Sequence, residues 1–141
     1  MSNVESFDIN HIPEFKSADK KNWEGDLKLM KDAYNYSLVT IWHKGKILAI
    51  AGVQIIRRKV AEVFSLPSIY AKKFPKEYLN VMRQIVDSSY RIFDLHRLQL
   101  TIVDSDIMGL KWAKSLGFTY EGLLVKYGEN GENHFLFAKV I

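Results

Sequence analysis

Residues 96 to 140 read HRLQLTIVDSDIMGLKWAKSLGFTYEGLLVKYGENGENHFLFAKV, and the order of patterns within this run decides the fold. RLQLTIV is a strand in pattern, and DSDIMGLKWAKSL that follows is helical. Gly117 closes that helix at the position where a left-handed residue is wanted. FTYEGLLVKYGE and NHFLFAKV then read as two strands, joined through Asn130-Gly131, a strong two-residue hairpin signal. A strand, a crossing helix and a closing pair of strands are thus laid down in sequence.

Working outward, FPKEYLNVMRQIVDSSYRIF is the longest helix, over 75–94, with Pro75 in a first turn that needs no N–H. Tyr78, Met82, Ile85, Val86 and Phe93 line one face of it. Before it, SLVTIWHK and ILAIAGVQII are separated by the hairpin signal KGK, and VAEVFSLPS follows the basic turn RRK. They form three antiparallel strands over 37–66. Residues 1–36 are polar and helical in pattern: Leu27, Met30 and Tyr34 recur at helical spacing, as do Leu29 and Ala33. Ser17, Asp19, Lys20 and Trp23 predict a shorter helix ending near Gly25. The whole chain, 1–141, is expected to be one α+β domain, a mixed, mostly antiparallel central sheet with helices on both faces. Ligand sites in such a sheet are expected where strands part.

Composition narrows the chemistry. The chain has 48% hydrophobic and 26% charged residues, as an ordinary globular protein does. Twenty Lys+Arg against 16 Asp+Glu give a net charge of +4, mild for a nucleic-acid binder. The absence of cysteine excludes disulfides, thiolate metal sites and thiol nucleophiles. His11, His43, His96 and His134 are scattered without metal-ligand spacing, so no metal is expected. The amino terminus MSNVESFDINHIPEF carries acidic residues and no long apolar run, unlike a signal peptide. No window approaches the roughly 20 apolar residues of a membrane span. A cytoplasmic protein without a membrane partner is expected.

Residues 96 to 140 resemble the second half of the GNAT superfamily of N-acyltransferases, in which a strand leads through a polar turn to a helix ending Leu-Gly-Phe, then Glu-Gly and a closing hairpin. Leu116, Gly117, Phe118, Glu121 and Gly122 occupy that pattern, and the strands from Leu38 to Ser65 fit the preceding half. The resemblance implies acetyl-CoA or another acyl-CoA as the acyl source, with pantetheine between the splayed fourth and fifth strands. Its pyrophosphate would rest on N–H groups at a helix start, reached through a glycine-rich loop. The corresponding loop, YAKKFPKEY, holds no glycine. By position it assigns Lys72, Lys73, Phe74 and Lys76 to the cofactor, with Ser65 and Leu66 on the strand before it. Pro67 removes an N–H just beyond. Asp106, with Gly109 three residues on, stands where the family's last helix opens with an Asn against the cofactor. Ala113 stands where the family's leaving thiolate meets a Tyr, with Trp112 beside it. Glu62 matches the strand and approximate depth of the family's general base.

Each residue also has a plainer reading. The three lysines crowd a helix start whose field disfavours cations by about 0.3–1 kcal/mol each, so they hold an anion or form a solvated turn. Glu62, costly in a strand unless paired, has Arg57, Arg58 and Lys59 as candidate partners. Asp104 and Asp106 suit helix caps. Trp42, Trp112, Tyr120, Tyr127, Phe135 and Phe137 suit a core or an interface better than base stacking. His134 suits a structural role or the edge of an acceptor pocket. Three functions follow. The first is an acyl-CoA-dependent N-acetyltransferase with an eroded cofactor loop and Glu62 as base. The second is a catalytically inactive assembly protein, a homo-oligomer or part of a larger assembly. It resembles degenerate GNAT-like proteins of tailed bacteriophages in its turn and its Trp-x-x-x-Leu-Gly-Phe ending, which implies the host cytoplasm or the virion. The third, an anion or nucleic-acid binder using RRK and KKFPK, is weaker.

Overall fold

Lys44 and Gly45 take positive φ angles of 52° and 77°, the backbone of the tight turn that matches strand twist, so KGK folds as its composition predicts. The computed structural model describes residues 2–141. Its strands are β1 (Ser2–Ser6), β2 (Tyr36–His43), β3 (Lys46–Arg57), β4 (Val60–Pro67), β5 (Arg97–Val103), β6 (Thr119–Leu124) and β7 (His134–Val140). The α-helices are α1 (Glu24–Asp32), α2 (Pro75–Ile92) and α3 (Ile107–Ser115), with short 3-10 turns at Ile9–Glu14 and Ala71–Lys73. One sheet runs in the order β1-β2-β3-β4-β5-β7-β6. Every neighbouring pair is antiparallel except β4 with β5. This is a mixed, mostly antiparallel α+β fold. Among the described residues no helix is long and apolar enough to cross a membrane.

Alternation along the strands divides the core into two layers. Ala61 and Val63 of β4 and Leu98 and Leu100 of β5 pack with Met82 and Val86 of α2 and Ala113 and Leu116 of α3. The opposite face packs Phe64 and Leu66 with Leu38, Ile50 and Leu27 of α1. Helices therefore cover both faces. Gly117, at φ 90°, ends α3 in the left-handed conformation its position predicts.

The amino-terminal third departs from its helical expectation. Ser2–Ser6 is an edge strand, paired with β2 from Ser2↔His43 to Ser6↔Val39. Its sequence, SNVES, has no apolar alternation; the strand exists because β2 offers an unpaired edge and Trp42 Nε1 donates to Glu5 Oε1 at 2.7 Å. The expected helix through Ser17 and Trp23 is a turn instead. There the Asp19 carboxylate accepts bonds from Ser17 Oγ, the Lys21 N–H and Trp23 Nε1, a local competitor to helix. Tyr34 lies past the end of α1 and is fully exposed.

The closing hairpin is corrected as well. Pairing of β6 with β7 ends at Leu124↔His134, so the connection is the long loop 125–133 and not a two-residue turn. Asn130-Gly131 makes a turn inside that loop, with Gly131 at φ 80° and its N–H donating to Gly128 O.

Gly52 of β3 lies between Leu38 and Phe64, where an added Cβ would meet a carbon of each at 2.6 Å. Gly52→Val is expected to lower unfolding stability by about 1–3 kcal/mol through overpacking, read by chemical denaturation. An unchanged midpoint would contradict this packing.

Candidate functional site

Strands β4 and β5 are bonded over only Val60↔Arg97, Ala61↔Leu98 and Glu62↔Gln99. Past that point they part, and β4 keeps only its β3 neighbour as far as Pro67. From Val63 onward, the β5-facing edge of β4 has no strand opposite it, so its backbone polar groups are open to an extended ligand. A cavity of about 120 Å³ occupies the fork, lined by Glu62, Phe64, Ser65, Leu100, Thr101 and Trp112 among others. Ligand pockets for drug-sized molecules run from about 300 Å³ upward.

Aromatic side chains crowd this end of helices α2 and α3. Tyr78 of α2 and Trp112 of α3 stand 5.6 Å apart between ring centroids, and the Tyr78 hydroxyl bonds Ser65 Oγ of β4. The pair spans the space between the two helices over the parted strands. Burial pushes the Tyr78 phenol up to about 12, with the Ser65 bond pulling the other way. Trp112 Nε1 is buried with no hydrogen-bond partner among the described residues, although its ring lines the cavity. An unmatched buried donor beside an open strand edge is a natural place for a ligand carbonyl.

At the apex of the fork, Glu62 does not pair with Arg57, Arg58 or Lys59. Lys59 instead bonds Asp94 at 3.2 Å, and Glu62 accepts from Gln99 Nε2 at 3.1 Å. Alternation points Glu62 to the face that carries α1, away from α2 and α3. Its negative charge raises the Tyr127 phenol above the ordinary value, with partial burial adding to the effect. His134 follows, its Nδ1 3.2 Å from Thr101 Oγ1 and its ring edge-on to Tyr127.

The lysines gather at the other end. Lys72, Lys73 and Lys76 are exposed around the start of α2. Phe74 precedes the helix without a side-chain capping bond, and Pro75 supplies no N–H. The β2–β3 turn adds two cations that sequence reasoning did not connect with them. Lys46 Nζ lies 4.6 Å and Lys73 Nζ 5.9 Å from the Tyr70 ring centroid, while Lys44 Nζ lies 5.3 Å from that of Phe74. Among the described residues none of these five lysines forms an ion pair.

The structure thus joins Glu62 and Ser65 in one cavity, and brings Lys73 of the loop together with Lys46 of β3 at the Tyr70 ring. Leu66 lies on the open part of β4 but packs its side chain into the α1 layer, so only its backbone faces the fork. Asp106 accepts from the Gly109 N–H at 2.9 Å as the cap of α3, and does not line the cavity. Gln99 and Tyr78 were missed; the available signal for Gln99 was an uncharged polar residue inside the apolar strand RLQLTIV.

Of the seven tyrosines, Tyr78 and Tyr90 are raised to about 12, Tyr90 by burial and then by the Asp87 charge. A raised phenol favours the folded state fully below its unfolded value near pH 10, and that contribution is lost as pH climbs through 12. Ultraviolet titration should therefore show the Tyr78 and Tyr90 phenolates forming last, and Tyr78→Phe should remove one of these. Titration of all seven together near pH 10 would refute the buried Tyr78.

No protein-family model matches this sequence, and no curated protein matches it. Many solved structures match the fold. A chimera of the Vibrio cholerae spermidine N-acetyltransferase SpeG with hSSAT superposes with a TM-score of 0.79 at 11% identity, covering 99% of this chain and 95% of that one. The F149A mutant of the Vibrio cholerae enzyme gives 0.77 at 12% identity, over 98% and 94% of the two chains. The N152L mutant gives 0.78 at 11%, over 99% and 93%. With strands that part beside a buried cavity and a likeness running the length of both chains, this protein has the fold of the GNAT superfamily of N-acyltransferases.

Proposed function

We propose that this protein transfers an acyl group, acetyl in the simplest case, from acyl-CoA to an amine. The observation that carries this reading is the parting of β4 from β5 immediately after Glu62↔Gln99, which leaves a carboxylate at the apex of an open strand edge. The open edge of β4 around Ser65 and Leu66 suits the amides of a pantetheine arm, which would add to it as a short strand does. Lys72, Lys73 and Lys76, with Lys44 and Lys46 from the neighbouring turn, suit its phosphates by charge in place of a glycine-rich loop. Bound acyl-CoA supplies an activated thioester. Glu62 takes a proton from the acceptor ammonium, directly or through one water, so that a neutral amine faces the acyl carbon. Tyr127 and His134 border the acceptor on the same face. The structural neighbours named for spermidine acetylation support an amine acceptor.

Tyr78 and Trp112 must separate for an arm of that size to enter, because the cavity of about 120 Å³ is well below the size of such a ligand. The same closure favours the second reading, a GNAT-fold assembly protein without catalysis, in a phage virion or elsewhere. Acetyl-CoA separates the two. At a hundredfold excess over its dissociation constant it should stabilise the protein by about 2.7 kcal/mol, a rise of several degrees in Tm. Lys73→Glu should reduce that rise. No shift at millimolar acetyl-CoA would leave the assembly reading.

Given binding, Glu62→Gln should lower acetyl transfer to a primary amine by about 10²–10⁴-fold while keeping the acetyl-CoA thermal shift. Full activity in that variant would remove Glu62 from the chemistry.

A further inference from the structure

Glu62 is the last member of a hydrogen-bonded chain that crosses three strands. Gln99 Nε2 donates to Glu62 Oε1 at 3.1 Å, and Arg97 Nε donates to Gln99 Oε1 at 3.0 Å. Arg97 is gripped in turn by Glu121, with its two terminal nitrogens at 3.1 and 2.6 Å from the two carboxylate oxygens. Glu121 sits where β6 bulges between Tyr120 and Gly122. A bulge re-aims a side chain that regular pairing would send elsewhere.

A glutamine amide has a donor end and an acceptor end, and its neighbours decide which faces where. Arg97 carries only donors, so it takes the Gln99 oxygen and leaves the NH2 for Glu62. Were the amide reversed, carbonyl would face carboxylate and both would swing apart. Glu121 holds Arg97 bidentately, and this draws the Arg97 pKa up and the Glu121 pKa down. Gln99 also separates the two charges. An arginine directly on Glu62 would form an ion pair and leave a poor base. An amide between them transmits direction without transmitting charge.

We propose that Gln99 is a positioning residue that aims the Glu62 carboxylate at the fork, and that the Arg97–Glu121 pair fixes which end of its amide does so. The proposal rests on Glu62 being the base. It gives the Glu-Gly pair of the LGF…EG pattern a part in the site, through a residue three strands along the sheet from Glu62.

The decisive variant is the charge swap Arg97→Glu with Glu121→Arg. It keeps an ion pair between the two positions, so stability should stay near that of the wild type. It replaces the donor facing Gln99 by an acceptor, which turns the amide around. Acetyl transfer from acetyl-CoA to a primary amine should then lose about 10- to 100-fold in kcat, with the KM for acetyl-CoA unchanged. Gln99→Leu should lose as much. A swap variant with wild-type kcat would overturn the proposal, since a purely structural pair predicts that result. A second readout is independent of catalysis. In ¹⁵N-labelled protein, the Gln99 side-chain NH2 signals, assigned by their loss in Gln99→Leu, should move in Glu62→Gln and in the swap. Signals that stay put in both refute the chain. If even the wild type transfers no acetyl group, the base assignment fails, and these signals alone judge the orientation of the amide.

Discussion

Parallel pairing between β4 and β5 stops after three residue pairs, and the remaining architecture answers that interruption. Backbone polar groups left on the open edge of β4 need cover, because unpaired buried N–H and C=O groups cost free energy comparable to a lost hydrogen bond. Here α2 and α3 lean over the fork and bring Tyr78 and Trp112 together above it. The Tyr78 hydroxyl reaches down to Ser65, so part of the cover is polar. What remains open is a small cavity with Glu62 at its apex.

Charge is segregated along the same axis. At the wide end, Lys44, Lys46 and Lys73 stand over the rings of Tyr70 and Phe74, with Lys72 and Lys76 exposed beside them at the α2 start. The aromatic faces offset some of the mutual repulsion of these cations. At the apex the arrangement is reversed: among the described residues Glu62 forms no ion pair and is held by a neutral amide. Cations at one end and a carboxylate at the other are the separation on which the proposed acyl transfer from a phosphate-bearing thioester relies. In the proposed reading, charge takes the place of the glycines usual for a phosphate loop; it acts at longer range and makes fewer demands on backbone geometry.

Much of this was legible before any coordinates. The Lys44-Gly45 turn, the Gly117 stop and the helix opening at Pro75 are local events, and each is written in contiguous residues. The strand containing Glu62 was equally clear, because β-branched and aromatic residues bounded by turns need no distant partner to be recognised. The edge strand Ser2–Ser6 was not, since a polar strand owes its existence to the neighbour that accepts its backbone bonds. The length of the 125–133 loop was hidden by a good turn dipeptide that bends only the loop's tip.

By itself, then, the sequence determined the order of strands and helices from α1 onward and the turns at Lys44-Gly45 and Gly117, because hydrophobic period and turn chemistry act over a few consecutive residues. Only the tertiary structure decided that Glu62 would face Gln99 and not Arg57, Arg58 or Lys59, that Lys44 and Lys46 would join the loop lysines, and that Tyr78 and Trp112 would close over the fork. Those contacts join residues far apart in the chain. They follow from strand pairing, and in particular from the register at which β4 and β5 let go.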